Sequence, residues 1–194
     1  MVGSNLSSSF SSILLAGGRS SRMGKDKALL RFGSENLLDY MQAKLSELGC
    51  HNIIVSRNQP GFVSDTIPDQ GPLSGLHACL PHCQLTKVLV VPVDMPALTA
   101  ETLLPLLNNQ ASASYYQDCA LPCVLTNSKE LQTDIEQQLS GPNGRRSVFA
   151  LLQRFNAQAL SCQNESQLVN TNTPEQWSQL CQIHGQTQEW MHES

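Results

Sequence analysis

This chain is short of several things, and each shortage narrows what it can be. It has no excess of positive charge: 12 Lys and Arg stand against 16 Asp and Glu, a formal net charge of −4. A general nucleic-acid binder needs a basic face to neutralise phosphates along a polymer, so that class is set aside. No apolar run approaches the ~20 residues of a membrane-spanning helix. The stretch Met1–Ser12 is rich in serine and has no basic segment followed by an apolar one, so it does not read as a secretion signal. The cysteines (Cys50, Cys79, Cys83, Cys119, Cys123, Cys162 and Cys181) are odd in number and include no CxxC pair. They read as reduced thiols, and the expected location is the cytoplasm. Aromatics are few, with five Phe, three Tyr and two Trp in 194 residues, while aliphatics are plentiful. That balance suits an α/β protein with a buried parallel sheet.

The length predicts one domain, over residues 10–185, with tails at 1–9 and 186–194. Apolar Ile13-Leu14-Leu15 reads as a short buried strand, and an amphipathic helix pattern begins near Glu35. That helix carries Leu37, Leu38, Met41, Leu45 and Leu48 on one face and ends at Gly49. A second strand is expected at Asn52–Ser56, a helix from the Gly71–Gly75 region to about His82, and a third strand at Lys87–Val93. The third strand shows no alternation, so both of its faces are covered. A helix follows from Thr99, its expected cap, and Pro105 should kink or shorten it. Strands at Ala113–Gln117 and Ala120–Leu125 come next. Two helices follow, one capped by Ser128 with Leu131, Ile135 and Leu139 inward, the next carrying Val148, Leu151, Leu152 and Phe155. Thr173, Pro174 and Gln176 signal a last helix with a capping box. Alternating strands and helices predict a three-layer, doubly wound, mostly parallel sheet.

The richest stretch is Leu15-Ala16-Gly17-Gly18-Arg19-Ser20-Ser21-Arg22-Met23-Gly24-Lys25-Asp26-Lys27. It leaves the end of the first strand, where an α/β sheet holds phosphates. Glycines there let backbone N–H groups approach an anion, and Arg19, Arg22, Lys25 and Lys27 can neutralise it. A Walker A loop would need glycine at position 19 and Ser or Thr at 26, where this chain has Arg19 and Asp26. The dinucleotide pattern fails too, because Gly17 and Gly18 are adjacent. The plainer alternative is a glycine turn with solvated cations. The order and placement of the whole stretch favour a loop that grips a nucleotide.

Three further groups could carry chemistry. Asp94 closes the third strand in Val91-Pro92-Val93-Asp94-Met95-Pro96. A carboxylate there, with substrate phosphates and water, is how Mg²⁺ is commonly held; a loop-capping Asp is the alternative. Asp69, in Pro68-Asp69-Gln70-Gly71-Pro72-Leu73-Ser74-Gly75, could accept hydrogen bonds from guanine, help hold metal, or simply close its own turn. Gly71 and Gly75 would let a ligand lie against the backbone. Asn170 and Asn172, alternating before the last helix, point the same way in an extended segment and suit a polar second substrate. His77, Cys79, His82 and Cys83 match no zinc spacing, and Leu76 and Leu80 beside them suggest a packed helix.

These motifs together resemble the molybdenum cofactor guanylyltransferases, within the nucleotidyltransferase superfamily and its Rossmann-like fold. The likeness runs from about Ile13 to Leu180 and is anchored by Leu15–Gly18, Arg22-Met23-Gly24, Asp26-Lys27, Asp69, Gly71–Gly75, Asp94-Met95-Pro96 and Asn172-Thr173-Pro174-Glu175. The first loop and the Asp-x-Pro strand end are shared with cytidylyltransferases and sugar-1-phosphate nucleotidyltransferases. The resemblance implies transfer of GMP from GTP to the phosphate of molybdenum-loaded molybdopterin, with Mg²⁺ as cofactor and pyrophosphate released. It implies that Leu15, Ala16, Gly17 and Gly18 hold nucleotide through the backbone, that Arg22 and Lys27 serve its phosphates, that Asp69 meets guanine, and that Asp94 holds metal. The family's nucleoside-contacting Asn falls near Ser56, with Asn58 two residues on. Arg145, Arg146, Asn170 and Asn172 are the candidates on the molybdopterin side. A family His-Pro pair stands here as Leu121-Pro122. Implied protein partners are molybdoenzymes and other cofactor-biosynthesis proteins. A molybdenum cofactor cytidylyltransferase, another NTP-dependent nucleotidyltransferase with a different phosphorylated acceptor, and a non-catalytic pterin carrier remain the alternatives.

Overall fold

In a computed structural model, residues 9–17, 26–67, 70–141, 147–173 and 175–182 are described. Along the chain these form β1 (Ser11–Leu15), β2 (Arg31–Phe32), β3 (Glu35–Asn36), α1 (Leu37–Glu47), β4 (Ile53–Ser56) and α2 (Pro72–Cys79). Then come β5 (Lys87–Pro92), α3 (Ala100–Asn108), β6 (Ala113–Tyr116), β7 (Cys119–Thr126), α4 (Lys129–Ser140), α5 (Val148–Arg154) and β8 (Gln158–Leu160). Residues 175–182 are helical.

Six strands make one sheet in the order β4-β1-β5-β7-β6-β8, and β2 and β3 pair as a separate small hairpin. β1 runs parallel to both β4 and β5, while β7 runs against β5 and β6. β8 is parallel to β6. Five strands therefore point one way and β7 the other, so the sheet is mostly parallel.

Successive side chains on a strand face opposite sides, and the core divides accordingly. Leu14, Leu89 and Val91 pack with α1 and α3 residues such as Met41, Leu45 and Leu106. Ile13, Val88 and Val90 pack on the other face with Leu76, Ile135 and Leu151 of α2, α4 and α5. That accounts for the unbroken apolar run in β5: each face has its own helical layer.

Several local signals work as the sequence predicts. Ser128 accepts a hydrogen bond from the Leu131 N–H, and Leu131, Ile135 and Leu139 are buried. The capping box also forms: the Gln176 side chain accepts from the Thr173 and Asn172 N–H groups, and Thr173 Oγ1 accepts from the Gln176 N–H. Other details differ. The first helix starts at Leu37, because Glu35 and Asn36 are used by β3, and Asn36 caps the helix through the Asp39 N–H. Thr99 stands at the cap position of α3 but makes no capping bond; its hydroxyl bonds the Gln167 side chain instead. α3 continues only three residues beyond Pro105. The hairpin β2–β3 and strand β8 are too short to leave a periodic signal.

Candidate functional site

Register puts three strand ends side by side. Leu15 pairs with Ser56 on one flank and with Pro92 on the other. The chain continues from those ends as Ala16-Gly17, Arg57-Asn58 and Val93-Asp94. Backbone bonds extend the alignment past the strands: the Ala16 N–H donates to the Ser56 carbonyl and the Val93 N–H to the Leu15 carbonyl, both at 2.9 Å. Because β7 is antiparallel, its beginning at Cys119 lies at this same edge.

A cavity of about 990 Å³ opens along that edge. This lies at the upper end of the range for small-molecule sites, ~300–1,000 Å³. The cavity reaches Leu15, Ala16, Gly17, Lys27, Ser56, Asn58, Asp94, Asn170 and Asn172. Nine residues expected from sequence to serve a site thus share one wall-to-wall space. Gly18, Arg22, Asp69, Arg145 and Arg146 lie outside the described residues.

Lys27 is the hub of the described charges. Its Nζ lies 3.5 Å from Asp94 Oδ2 and donates to Asn172 Oδ1 at 2.7 Å. Each contact has a local cause. Asp26 caps the short 3₁₀ turn Lys27–Leu29 through the Ala28 N–H, which fixes where Lys27 leaves the loop. The Thr171 N–H donates to the Asp94 carbonyl at 2.8 Å, so the segment carrying both asparagines is tied to the end of β5. Gln176 then holds the backbone of Asn172.

At the β4 end, Asn58 and Asp65 bond reciprocally: Asn58 Nδ2 donates to Asp65 Oδ2 at 3.1 Å and the Asp65 N–H donates to Asn58 Oδ1 at 2.7 Å. Asp65 lines the cavity beside Asn58. Sequence reasoning passed over it because Val63-Ser64-Asp65-Thr66 carries no motif.

Two glycines separate the demands of fold from those of ligand. A Cβ at Gly75 would meet Ser56 Oγ at 2.2 Å, so this glycine lets α2 close on β4. Its small size serves that packing, and Gly75 also lines the cavity together with Gly71. A Cβ at Gly17 would find only ordinary contacts, the nearest at 3.7 Å from the Ser56 carbonyl oxygen. Gly17 is exposed and faces the cavity, so its bare backbone is left open to a ligand.

Arg57 was also missed. Its side chain is buried, and its guanidinium holds Asp26 with Nη2–Oδ2 at 2.6 Å. The loop end that presents Lys27 is therefore fastened to β4. A basic residue directly after a strand end, next to Asn58, was the available signal.

Among the described residues no three His, Cys, Asp or Glu side chains gather as a metal cage. Asp94 still presents a hard carboxylate to the cavity, the donor type that holds a divalent ion shared with phosphate oxygens. The thiols of Cys79 and Cys83 are pushed up to about 12 by burial, which keeps them protonated and poor metal ligands.

Comparison with known proteins agrees with this geometry. A family model described as "MobA-like NTP transferase domain" matches residues 12–179. The chain belongs to the MobA-like NTP transferases. It is 38% identical over 174 residues to a molybdenum cofactor guanylyltransferase of Xanthomonas euvesicatoria pv. vesicatoria, covering 87% of this chain and 92% of that one. It is 32% identical to the guanylyltransferase of Pseudomonas fluorescens, covering 84% and 89%. In structure it is similar to molybdopterin-guanine dinucleotide biosynthesis protein A from Archaeoglobus fulgidus, with a TM-score of 0.73 at 18% identity over 91% of this chain and 99% of that one. The 2-C-methyl-D-erythritol 4-phosphate cytidylyltransferase of Thermus thermophilus scores 0.69 at 15% identity, covering 91% and 99%. These two likenesses establish the nucleotidyltransferase fold. Nucleotidyltransferases of this kind generally use a divalent metal.

Proposed function

We propose that this MobA-like NTP transferase moves GMP from GTP to the terminal phosphate of molybdopterin, forming the guanine dinucleotide of the molybdenum cofactor. One observation carries the reading: Lys27, Asp94 and Asn172 meet in a cavity that also takes in the bare Gly17 backbone. A triphosphate needs cations and backbone donors, and a pure carrier would need neither a metal carboxylate nor a phosphate lysine.

In this reading an oxygen of the acceptor phosphate attacks the α-phosphorus of GTP. The bond from that phosphorus to the bridging oxygen breaks, and pyrophosphate leaves with the electron pair. Phosphate is already a competent nucleophile, so the protein's work is alignment and charge neutralisation. The Leu15–Gly17 backbone holds the nucleotide, and Lys27 meets its phosphates. Asn172 keeps Lys27 oriented, and Ser56, Asn58 and Asp69 attend to the nucleoside. Gly18 and Arg22 extend the phosphate grip, and Arg145, Arg146, Asn170 and Asn172 serve the acceptor. Asp94 would hold the metal, read as Mg²⁺, which would supply further neutralisation of phosphate charge.

Thermal shift with GTP, CTP, ATP and UTP, each with and without Mg²⁺, tests the reading, since a ligand bound only by the folded state raises the midpoint. Selective stabilisation by GTP is expected. Selective stabilisation by CTP would replace the guanylyl reading with a cytidylyl one. No shift with any nucleotide would point to a carrier.

A further inference from the structure

The lateral order of the sheet assigns the two ends of the cavity to different ligands. Ser56 ends β4 and Asn58 follows it, Gly17 follows β1, and Asp94 follows β5. Beyond Asp94 the cavity continues over Cys119, Ala120 and Leu121 of β7 and reaches Phe149 on α5. Phe149 packs edge-on against Tyr115 of β6, with centroids 5.9 Å apart and planes at 86°. Neighbouring strands are ~4.8 Å apart, so the β6 end lies roughly 14 Å across the sheet from β1. A nucleotide held at Leu15–Gly17 with its phosphates toward Asp94 has its base on the β4 side. The ring at Phe149 is left for the second substrate.

The chemistry of the two ends also differs. The β4 end is polar, with Ser56, Asn58 and Asp65, and the centre is charged. The β6 end has apolar walls in Leu121, Val148 and Phe149, with Asp118 and Ser147 among them. Phe149 remains 39% exposed although it stands within a cavity. Tyr115 steadies it by an edge contact. Such a ring can offer a flat π-face to a second flat ring.

We propose that Phe149 is the stacking wall for the pterin ring of the acceptor, and so a positioning residue for the second substrate. The assignment rests on the guanylyltransferase reading above. Stacking on Phe149 would hold the pterin at the β6 end while its phosphate reaches back to Asp94 and Lys27. The aromatic wall would then favour acceptors whose body is a planar heterocycle over acceptors whose body is a sugar.

The test is steady-state GMP transfer, varying GTP and molybdopterin separately, in the wild type and in Phe149→Ala, Phe149→Leu and Phe149→Trp. Stacking of a base on an aromatic ring is worth ~1–3 kcal/mol by truncation, so KM for molybdopterin should rise about tenfold or more in Phe149→Ala. KM for GTP should stay within about twofold. Phe149→Leu keeps apolar volume for folding but has no π-face and should lose most of the same affinity. Phe149→Trp should restore it. A wild-type KM for molybdopterin in Phe149→Leu overturns the proposal, as does a rise confined to GTP. A wild type that transfers GMP to no molybdopterin overturns the guanylyltransferase reading itself, and this inference falls with it. A wild type that turns over normally isolates the question to Phe149.

Discussion

The Lys27 ammonium lies 3.5 Å from the Asp94 carboxylate, although the two residues come from different loops at the ends of β1 and β5. Their side chains are only 17% and 24% exposed. A pair so close and so shielded neutralises much of its own charge, and in the proposed function a triphosphate with its cation would compete for both groups. The pair is a resting arrangement in which each charge is held ready by the other. Asn172 also holds Lys27, so in the proposed function the ammonium would stay placed with Asp94 on the metal.

Asp94→Ala should therefore abolish transfer while the protein stays folded. Partly exposed ion pairs contribute ~0–1 kcal/mol to stability, so the melting midpoint should move by no more than a few degrees. The loss of charge handling at the reacting phosphates should lower kcat by about 10²-fold or more. Pyrophosphate release measured beside the thermal midpoint checks both halves. Near-wild-type turnover would sink the metal assignment of Asp94.

Arg57 and Asp26 form an unequal pair, and the inequality makes a stability prediction. The Arg57 side chain is 6% exposed and the Asp26 side chain 44%. Among the described residues Arg57 Nε has no hydrogen-bond partner, and the Phe62 ring lies 5.7 Å from its Cζ. Removing the carboxylate charge strands a buried guanidinium, whereas replacing Arg57 with an apolar chain leaves Asp26 facing water. Asp26→Asn should thus cost about 2 kcal/mol, and Arg57→Met less than about 1 kcal/mol. Urea unfolding of both variants decides it. A larger loss in Arg57→Met would show that packing of the Arg stem, and not charge compensation, governs this joint.

Much of this was legible because it follows from local physics. The Val88–Val91 run gives a strand covered on both sides. Ser128, Thr173 and Gln176 mark helix starts because their side chains complete orphan N–H groups, and the structure makes those bonds. Leu15–Gly17, Lys27 and Asp94 stood out because the loops at strand ends in an α/β sheet collect ligands at one edge, and Asn170 and Asn172 because alternate side chains of an extended segment point the same way. What stayed hidden depends on contacts distant in sequence. That Gly75 also lets α2 close on β4 shows only when α2 is seen against Ser56. Asp65 comes to the cavity beside Asn58, and Phe149 comes near Leu121 at the edge where the reversed β7 begins, through contacts that no local motif marks. Thr99 has the right type for a cap, but Gln167, 68 residues away, takes its hydroxyl.

Lys44 gives the last prediction, in pH. Its ammonium donates to the carbonyls of Pro96 and Leu98, at 2.6 and 2.5 Å, and so grips the turn that follows Asp94. Burial lowers its pKa from 10.5 to about 8, against a smaller opposing pull from Glu47. Between about 8 and 10.5 the unfolded chain holds this proton and the folded chain does not, so the contribution of Lys44 to stability rises with pH across that window. The thiols work the other way. Cys79 and Cys83 titrate near 12 when folded and near 9 when unfolded, so their contribution is complete below 9 and is lost as pH climbs toward 12. A wild-type pH profile mixes the two slopes. Lys44→Met removes one of them and leaves the thiols unchanged. The stability of the wild type relative to Lys44→Met should therefore increase from pH 7 to pH 10, by on the order of 2 kcal/mol. Urea unfolding of both proteins at unit pH steps measures the difference directly. A flat difference would mean that Lys44 keeps its proton throughout, and that its two carbonyl bonds offset the cost of its burial.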